Sequence, residues 1–267
     1  MTTHLGARRP AAARRSAPHD PASAVMTSPT PVAVDLGSAY LTLWAGERGV
    51  TAAPTNEGRT PLIRRARIID GPGSVALLSR LLLDYHDPVP AGAVVVACRP
   101  VLAPPADQQL TRQVLTQVFA PSRLLFIDTL RAAAIGAGAA TGRLLIADIG
   151  AELTEVAMLD DGHVVAARRA DLGTRDLARG AGVDMLADTA VRALRDVCQQ
   201  AGTHRFAPRA LTRGLVLVGD GATRPDLTTQ LVSRLRTSVH PAAAPHTVAL
   251  TGASLAAMAA MRHPTAG

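Results

Sequence analysis

Lysine is absent from this 267-residue sequence, and aromatic residues make up only 2% of it. All 28 basic residues are therefore arginine, and the formal net charge is a modest +7. Proteins that bind nucleic acid usually combine a concentrated basic face with aromatic side chains on which bases stack. The sequence has neither feature, so we predict no nucleic-acid partner. Because 48% of the residues are hydrophobic, the core must consist mainly of Ala, Val, Leu and Ile.

Several common catalytic and metal-binding motifs are missing. The eight histidines are scattered without metal-ligand spacing, and the sequence has no Walker A motif and no G-x-S-x-G elbow. The only two cysteines are Cys98 and Cys198, which lie far apart in the sequence. Cys98 falls in the apolar run "VVVACRP", which predicts a reduced, buried thiol. These absences argue against a zinc enzyme, a serine hydrolase and a P-loop nucleotidase.

No apolar run is convincing as a membrane span. The nearest one, "HTVALTGASLAAMAAM", is rich in small residues and predicts a buried helix. Residues 1–30 contain mostly Ala, Pro, Arg and Ser without periodicity, which predicts a disordered tail, although Met26 as the true start and a transit peptide are open alternatives. We expect a cytoplasmic location, and contact of the Arg-rich tail with a membrane is left open.

The remaining sequence predicts an α/β fold with an internal repeat. Its elements follow the order β-β-(β)-α-β-α-β-α and then β-β-(β)-α-β-α, with Ser74 as the expected cap of the first helix. "VAVDLGSAYLTLWAGERGV" and "LIADIGAELTEVAMLDDGHVV" share an apolar strand, an Asp, a Gly turn and a second strand. Two similar α/β halves that face each other create a cleft, where a ligand is expected.

The two repeated hairpins have the chemistry of a phosphate clamp. Asp35 and Asp148 end buried strands just before Gly37 and Gly150. A glycine turn presents backbone N–H groups to an anion, and an aspartate holds hydrated Mg²⁺ against the same phosphates. A third element, "LVLVGDGATRPDL", predicts a strand, a Gly turn that can lie against a nucleoside, and a helix. The alternative for each aspartate is that it only caps its own turn through Asx-type hydrogen bonds.

Taken together, these segments resemble the actin, sugar-kinase and heat-shock-chaperone ATPase superfamily, and within it the bacterial MreB family. The resemblance rests on "VAVDLGS", "VVVACRP", "FIDTLRAAAIGAG", "ADIGAELTEVAML" and "VLVGDGA", and it covers about residues 32–262. It implies a duplicated actin-like (ribonuclease H-like) fold with ATP and Mg²⁺ bound between two lobes. We predict lobe I from residues 31–131 and 248–267 and lobe II from residues 132–247, each reduced to its inner subdomain, with the upper subdomains reduced or missing.

The resemblance also assigns roles to individual residues. Asp35 and Asp148 would hold Mg²⁺ through water, and Asp128 and Thr129 would occupy the position of the residues that place the attacking water. The remaining predicted nucleotide-binding residues are Gly37, Ser38, Gly150, Thr154, Gly219, Gly221 and Ala222.

The sequence departs from the family pattern at working positions. Ala151 and Glu152 stand where the family has glycines in the second hairpin, and Leu153 stands near the position of a hydroxyl residue. A carboxylate near phosphate oxygens costs on the order of a few kcal/mol unless a cation intervenes. Arg131 is one candidate for that cation, and a plain surface residue is its alternative interpretation.

Two functions from different classes follow. The first is an MreB-like cytoskeletal protein of cell shape or cell-wall synthesis that binds ATP with weak or lost hydrolysis. It would associate with itself, with MreB-type filament subunits, or with wall-synthesis or membrane-associated proteins. The second is a non-catalytic scaffold with the same fold that binds such partners without nucleotide. A sugar kinase is a weaker third hypothesis, because no residue presents itself as a base for a substrate hydroxyl.

Overall fold

The computed structural model describes residues 29–56 and 60–262. Most of the predicted tail, residues 1–28, and the last residues of predicted lobe I, 263–267, lie outside the described residues. Among those described, no helix is long and apolar enough to cross a membrane.

The strands are β1 Pro31–Leu36, β2 Tyr40–Ala45, β3 Val50–Pro54, β4 Ile63–Arg64, β5 Arg67–Ile68, β6 Val94–Arg99, β7 Arg123–Asp128, β8 Arg143–Ile149, β9 Thr154–Asp160, β10 His163–Ala170, β11 Leu215–Val218 and β12 Val239–Pro241. The α-helices are α1 Gly71–Leu83, α2 Pro105–Phe119, α3 Thr129–Gly136, α4 Thr174–Leu177, α5 Val183–Gln199, α6 Ala207–Arg213, α7 Pro225–Leu235 and α8 Val248–Arg262.

Two five-stranded sheets carry the predicted repeat. Their strand orders are β3-β2-β1-β6-β7 and β10-β9-β8-β11-β12, so each position in one sheet has a counterpart in the other. The first three strands of each sheet form an antiparallel meander, and the last two run parallel to its central strand. The duplicated α/β fold is thereby confirmed. We call the first sheet with α1 and α2 lobe I, and the second sheet with α5 and α7 lobe II.

Helices α3 and α8 pack between the two sheets. This layer is possible because their facing residues are small. A Cβ atom on Gly136 or on Gly252 would overlap the backbone of the opposite helix, so the two backbones are in direct contact. The Ala-rich composition thus supplies the close packing that large aromatic side chains supply in other cores. The predicted lobe boundary at residue 131 falls inside α3, and the boundaries stay a prediction.

The segments that leave the two meanders are short in both lobes, as expected for reduced upper subdomains. Between β3 and α1 the described residues form only the β4–β5 hairpin, whose strands contain two residues each. Between β10 and α5 there is only the single turn of α4. Neither segment has a core of its own, so both lie against the rest of the protein.

Some predictions of local structure were wrong or incomplete. Ser74 is not the cap of the first helix, because α1 begins at Gly71 and Asp70 accepts a hydrogen bond from the Gly73 amide. Ser74 is buried within α1, where its hydroxyl donates to the Asp70 carbonyl. The sequence pattern also missed β12 and α6, which have few residues and end next to exposed loops.

Candidate functional site

A cleft of about 440 Å³ opens between the two lobes. The segments that line it include the β1–β2 hairpin, the β8–β9 hairpin and the turn that follows β11. The predicted site residues that line it are Asp35, Gly37, Ser38, Thr129, Asp148, Gly150 and Gly219. The three motifs predicted from the sequence therefore meet in one place. Asp128, Thr154, Gly221 and Ala222 are not among the lining residues.

The two hairpins have the same backbone plan, but they need their glycines to different degrees. In the first hairpin, a Cβ atom on Gly37 would lie 2.7 Å from the Tyr40 carbonyl oxygen, which is too close for any residue but glycine. In the second, the Gly150 amide donates to the Leu153 carbonyl at 2.9 Å. A Cβ atom on Gly150 would be 3.4 Å from that oxygen, an ordinary contact. Steric contact with the backbone therefore requires glycine only in the first turn.

Asp35 and Asp148 lie on the floor of the cleft, one from each lobe. Burial raises the pKa of Asp35 to about 6. Burial, and then repulsion from Asp35 and Asp220, raise the pKa of Asp148 to about 7. The Oδ1 atom of Asp148 is buried and has no hydrogen-bond partner in the described structure, so this oxygen does not cap its own turn.

This arrangement fits a bound divalent cation. A positive charge between the two aspartates would relieve their repulsion and would give the unpartnered oxygen a partner, directly or through water. No cluster of three His, Cys, Asp or Glu side chains in the described chain is arranged to bind a metal directly. Mg²⁺ does not require such a cluster, because it keeps several of its waters.

Glu155 is a cleft residue that the sequence analysis missed. It stands opposite Asp148 in the β8–β9 register, and burial, followed by repulsion from Asp148, raises its pKa well above the usual value. Its Oε1 atom accepts a hydrogen bond of 2.6 Å from the Val101 amide of lobe I. The sequence feature that could have indicated it is the presence of a glutamate inside the apolar strand "TEVAML". Glu155 therefore ties the lobes together below the cleft.

Cys98 is the second missed residue of the floor. It is buried and lines the cleft beside Asp35, Asp148 and Glu155. Burial and these nearby carboxylates raise the pKa of its thiol well above the usual value, so the thiol stays protonated. The prediction of a reduced, buried cysteine is confirmed, and its place at the cleft was not foreseen.

The turn after β11 brings bare backbone to the cleft at one residue. Gly219 has φ +77°, and a side chain there would collide with the Asp148 carboxylate and the Ile149 backbone. Asp220, the next residue, accepts hydrogen bonds from Thr174 Oγ1 at 3.3 Å and pairs with His246 Nδ1 at 3.0 Å. Gly221 instead packs against the Ile149 side chain behind the turn.

The two residues that the resemblance assigns to hydrolysis, Asp128 and Thr129, and the predicted nucleotide-binding residue Thr154 are engaged elsewhere. Asp128 forms an ion pair with Arg99, with an Nε–Oδ1 distance of 2.9 Å. The Thr129 hydroxyl lines the cleft but donates to the Arg99 carbonyl at 3.0 Å. The Thr154 hydroxyl is buried and donates to the Leu172 carbonyl at 2.8 Å. None of these side chains points a free base into the cleft.

Glu152 is held by arginines, and Arg131 is not one of them. Arg131 is exposed. Arg179 and Arg175 of lobe II lie 3.5 Å and 3.8 Å from Glu152 Oε1. From lobe I, the Arg65 amide donates to Glu152 Oε2 at 3.1 Å. The carboxylate is thus neutralised by the protein itself and is only 5% exposed.

No family model and no curated protein matches the sequence. Similar solved structures include MreB5 of Spiroplasma citri bound to AMPPNP, with a TM-score of 0.72 and 13% identity, covering 89% of this chain and 98% of that one. The same protein bound to ADP has a TM-score of 0.68 and 12% identity, covering 90% of this chain and 99% of that one. The ethanolamine utilization protein EutJ of Carboxydothermus hydrogenoformans has a TM-score of 0.59 and 17% identity, covering 86% of this chain and 90% of that one.

These similarities establish the fold class of the chain. The chain has the actin-like fold, with two ribonuclease H-like lobes around a cleft. Within that class it is a divergent chain whose fold is similar to that of MreB5, as the motifs indicated.

Proposed function

We propose that this chain is an MreB-type actin-fold protein that binds an adenine nucleotide with Mg²⁺ in the interlobe cleft, weakly and with slow or no hydrolysis. The observation that carries the proposal is the pair formed by Asp35 and Asp148 on the cleft floor. Their pKa values are raised and Asp148 Oδ1 lacks a partner, as expected where a cation belongs. Further support comes from the AMPPNP and ADP bound to the MreB5 structures.

The proposed roles of the residues follow from their positions. Asp35 and Asp148 hold Mg²⁺ through its waters, and the first hairpin offers Ser38 and the Gly37 turn to phosphate oxygens. Gly219 gives the nucleoside access to bare backbone. Bound Mg²⁺ would neutralise phosphate charge in a cleft that contains few cations of its own. Hydrolysis is slow because Asp128 and Thr129, which would place the attacking water, are tied to Arg99.

We also propose that the protein acts in the cytoplasm in cell shape or cell-wall synthesis, together with copies of itself or MreB-type filament subunits. Wall-synthesis or membrane-associated proteins are the other proposed partners. Sedimentation of the purified chain, alone and mixed with a filament-forming relative, tests this part. Co-sedimentation that saturates at a fixed ratio supports it, and a chain that stays in the supernatant in both cases contradicts it.

A second candidate function is a nucleotide-free scaffold with the same fold. It is favoured by Glu152, which places a carboxylate in the second hairpin and already has Arg65, Arg175 and Arg179 as partners. In that case the fold serves to present a surface to a partner, and the cleft has no ligand.

Calorimetric titration with ATP separates the two candidates. The chain is titrated in Mg²⁺ and in EDTA, beside Asp148→Asn and a control, Asp196→Asn, whose side chain is exposed on α5. We expect a dissociation constant between about 10 µM and 1 mM, where the latter corresponds to about −4 kcal/mol. Binding should be lost in EDTA and in Asp148→Asn and kept in the control. No binding to wild type at millimolar ATP would contradict the nucleotide-binding function and favour the scaffold.

A further inference from the structure

The β4–β5 hairpin of lobe I ends in an unusual turn. Arg65 and Ala66 have φ +50° and +54°, the left-handed region that two-residue hairpin turns require and that Asn and Gly usually occupy. Each non-glycine residue there costs about 1–2 kcal/mol relative to ordinary backbone. Such a turn persists only where its surroundings hold it in place.

Contacts from both lobes hold this turn. Its two amide groups donate in different directions: the Arg65 amide to Glu152 Oε2 of lobe II at 3.1 Å, and the Ala66 amide to Ser38 Oγ of lobe I at 2.8 Å. On its other side, Arg169 donates to the Arg65 carbonyl at 3.0 Å. The Arg65 guanidinium also pairs with Asp171 at 3.3 Å. The turn is therefore part of the joint between the lobes.

A further contact joins the two hairpins that flank the cleft. Arg175, which follows β10, donates from Nη1 to the Ser38 carbonyl of the first hairpin at 2.8 Å. The same atom lies 3.8 Å from Glu152 in the second hairpin. The Arg175 amide is itself fixed by the Ala151 carbonyl at 2.8 Å. We call Ser38, Arg65, Ala66, Glu152, Arg169, Asp171 and Arg175 the interlobe clasp.

We infer that the interlobe clasp holds the two lobes closed across the cleft when no nucleotide is bound, with the buried Glu152 carboxylate as the anion that joins them. A ligand shifts a conformational equilibrium only by its difference in affinity for the two states. If the lobes are already closed, nucleotide changes their arrangement very little. The surface presented to a partner is then the same with and without nucleotide. The statement about nucleotide rests on the proposed function, whereas closure of the free protein does not.

Hydrogen exchange of the turn amides tests the clasp in the full chain without nucleotide. The Arg65 and Ala66 amides should exchange slowly, although they lie in a two-residue turn. Glu152→Ala should speed exchange at Arg65 about tenfold or more, because a hydrogen bond to a charged group is lost. Arg175→Gln loosens the same joint from another side and serves if Glu152→Ala does not fold. Asp196→Asn is the control and should leave both amides unchanged.

Small-angle X-ray scattering gives the matching measurement on the lobes. The wild-type radius of gyration should not change on addition of Mg²⁺ and ATP, and it should increase in Glu152→Ala. Equal exchange at Arg65 in wild type and Glu152→Ala, or a wild-type protein that contracts on ATP binding, would overturn the clasp. A chain that binds no ATP but keeps slow exchange and a compact shape would refute the proposed function and support the clasp.

Discussion

The first hairpins of the two lobes share a register and a strand order but differ at their tips. The lobe I tip has small residues, a glycine that sterics require, and a serine whose hydroxyl lines the cleft. The lobe II tip has Glu152, which is nearly buried among arginines and an amide from lobe I. Duplication therefore preserved the framework while the two tips acquired different chemistry. Both tips line the cleft, but the lobe I tip offers it a hydroxyl and a glycine turn, whereas the lobe II tip places a carboxylate at the joint between the lobes.

The largest expected effect concerns the two aspartates and pH. Because burial raises their pKa values to about 6 and about 7, these two carboxyl groups stabilise the fold most where both are protonated. Their contribution to stability should fall as pH rises from about 4 to about 7, since the unfolded chain releases these protons earlier. For Asp148, the rise in pKa from 3.8 to about 7 corresponds to a loss of up to about 4 kcal/mol of folding stability, and the effect of Asp35 should be smaller.

Urea unfolding of the Mg²⁺-free protein at pH 5 and pH 8 measures this effect. Asp148→Asn should be more stable than wild type at pH 8 and nearly equal at low pH, with Asp35→Asn showing a smaller gain. Asp196→Asn is the control. If the asparagine variants had the same stability as wild type at pH 8, the two carboxylates would not be buried in solution as they are in the structure.

The second prediction compares the two glycines directly. Gly37→Ala should destabilise the protein by about 1–3 kcal/mol, because its Cβ would press on the Tyr40 carbonyl. Gly150→Ala should change stability by less than about 0.5 kcal/mol, because its Cβ has room. Thermal unfolding of the two variants side by side measures the difference. Equal losses would mean that the two turns are under the same steric constraint.

The sequence predicted the framework well because alternating apolar strands, helical periodicity and the Asp-x-Gly turns are local signals. It also predicted that Asp35, Asp148 and Gly219 lie in one cleft, which they do. It could not show that Glu152 is neutralised by Arg175 and Arg179 instead of Arg131, since that depends on where the segment after β10 lies. The contact between Arg65 and Glu152 joins residues far apart in the chain, and no local pattern indicates it.

A smaller effect is expected at the turn that the lobe II tip contacts. Ala66→Gly removes the side-chain strain of the left-handed conformation and should stabilise the protein by about 0.5–1 kcal/mol, after the added flexibility of glycine is subtracted. Ala259→Gly on the exposed face of α8 should have the opposite sign and a similar size. Chemical denaturation of both variants measures the two effects. A loss of stability in Ala66→Gly would show that the turn does not have this conformation in solution.

The affinity of Glu152→Gly for ATP in Mg²⁺ tests the difference between the two tips most directly. This change removes a negative charge from the second hairpin, so that the positive charges of Arg175 and Arg179 are no longer offset by Glu152 and can attract a phosphate. We expect binding at least about tenfold tighter than that of wild type, a gain of about 1.4 kcal/mol. Unchanged or weaker binding would contradict the account, because Glu152 would then not be what separates the second hairpin from a phosphate site.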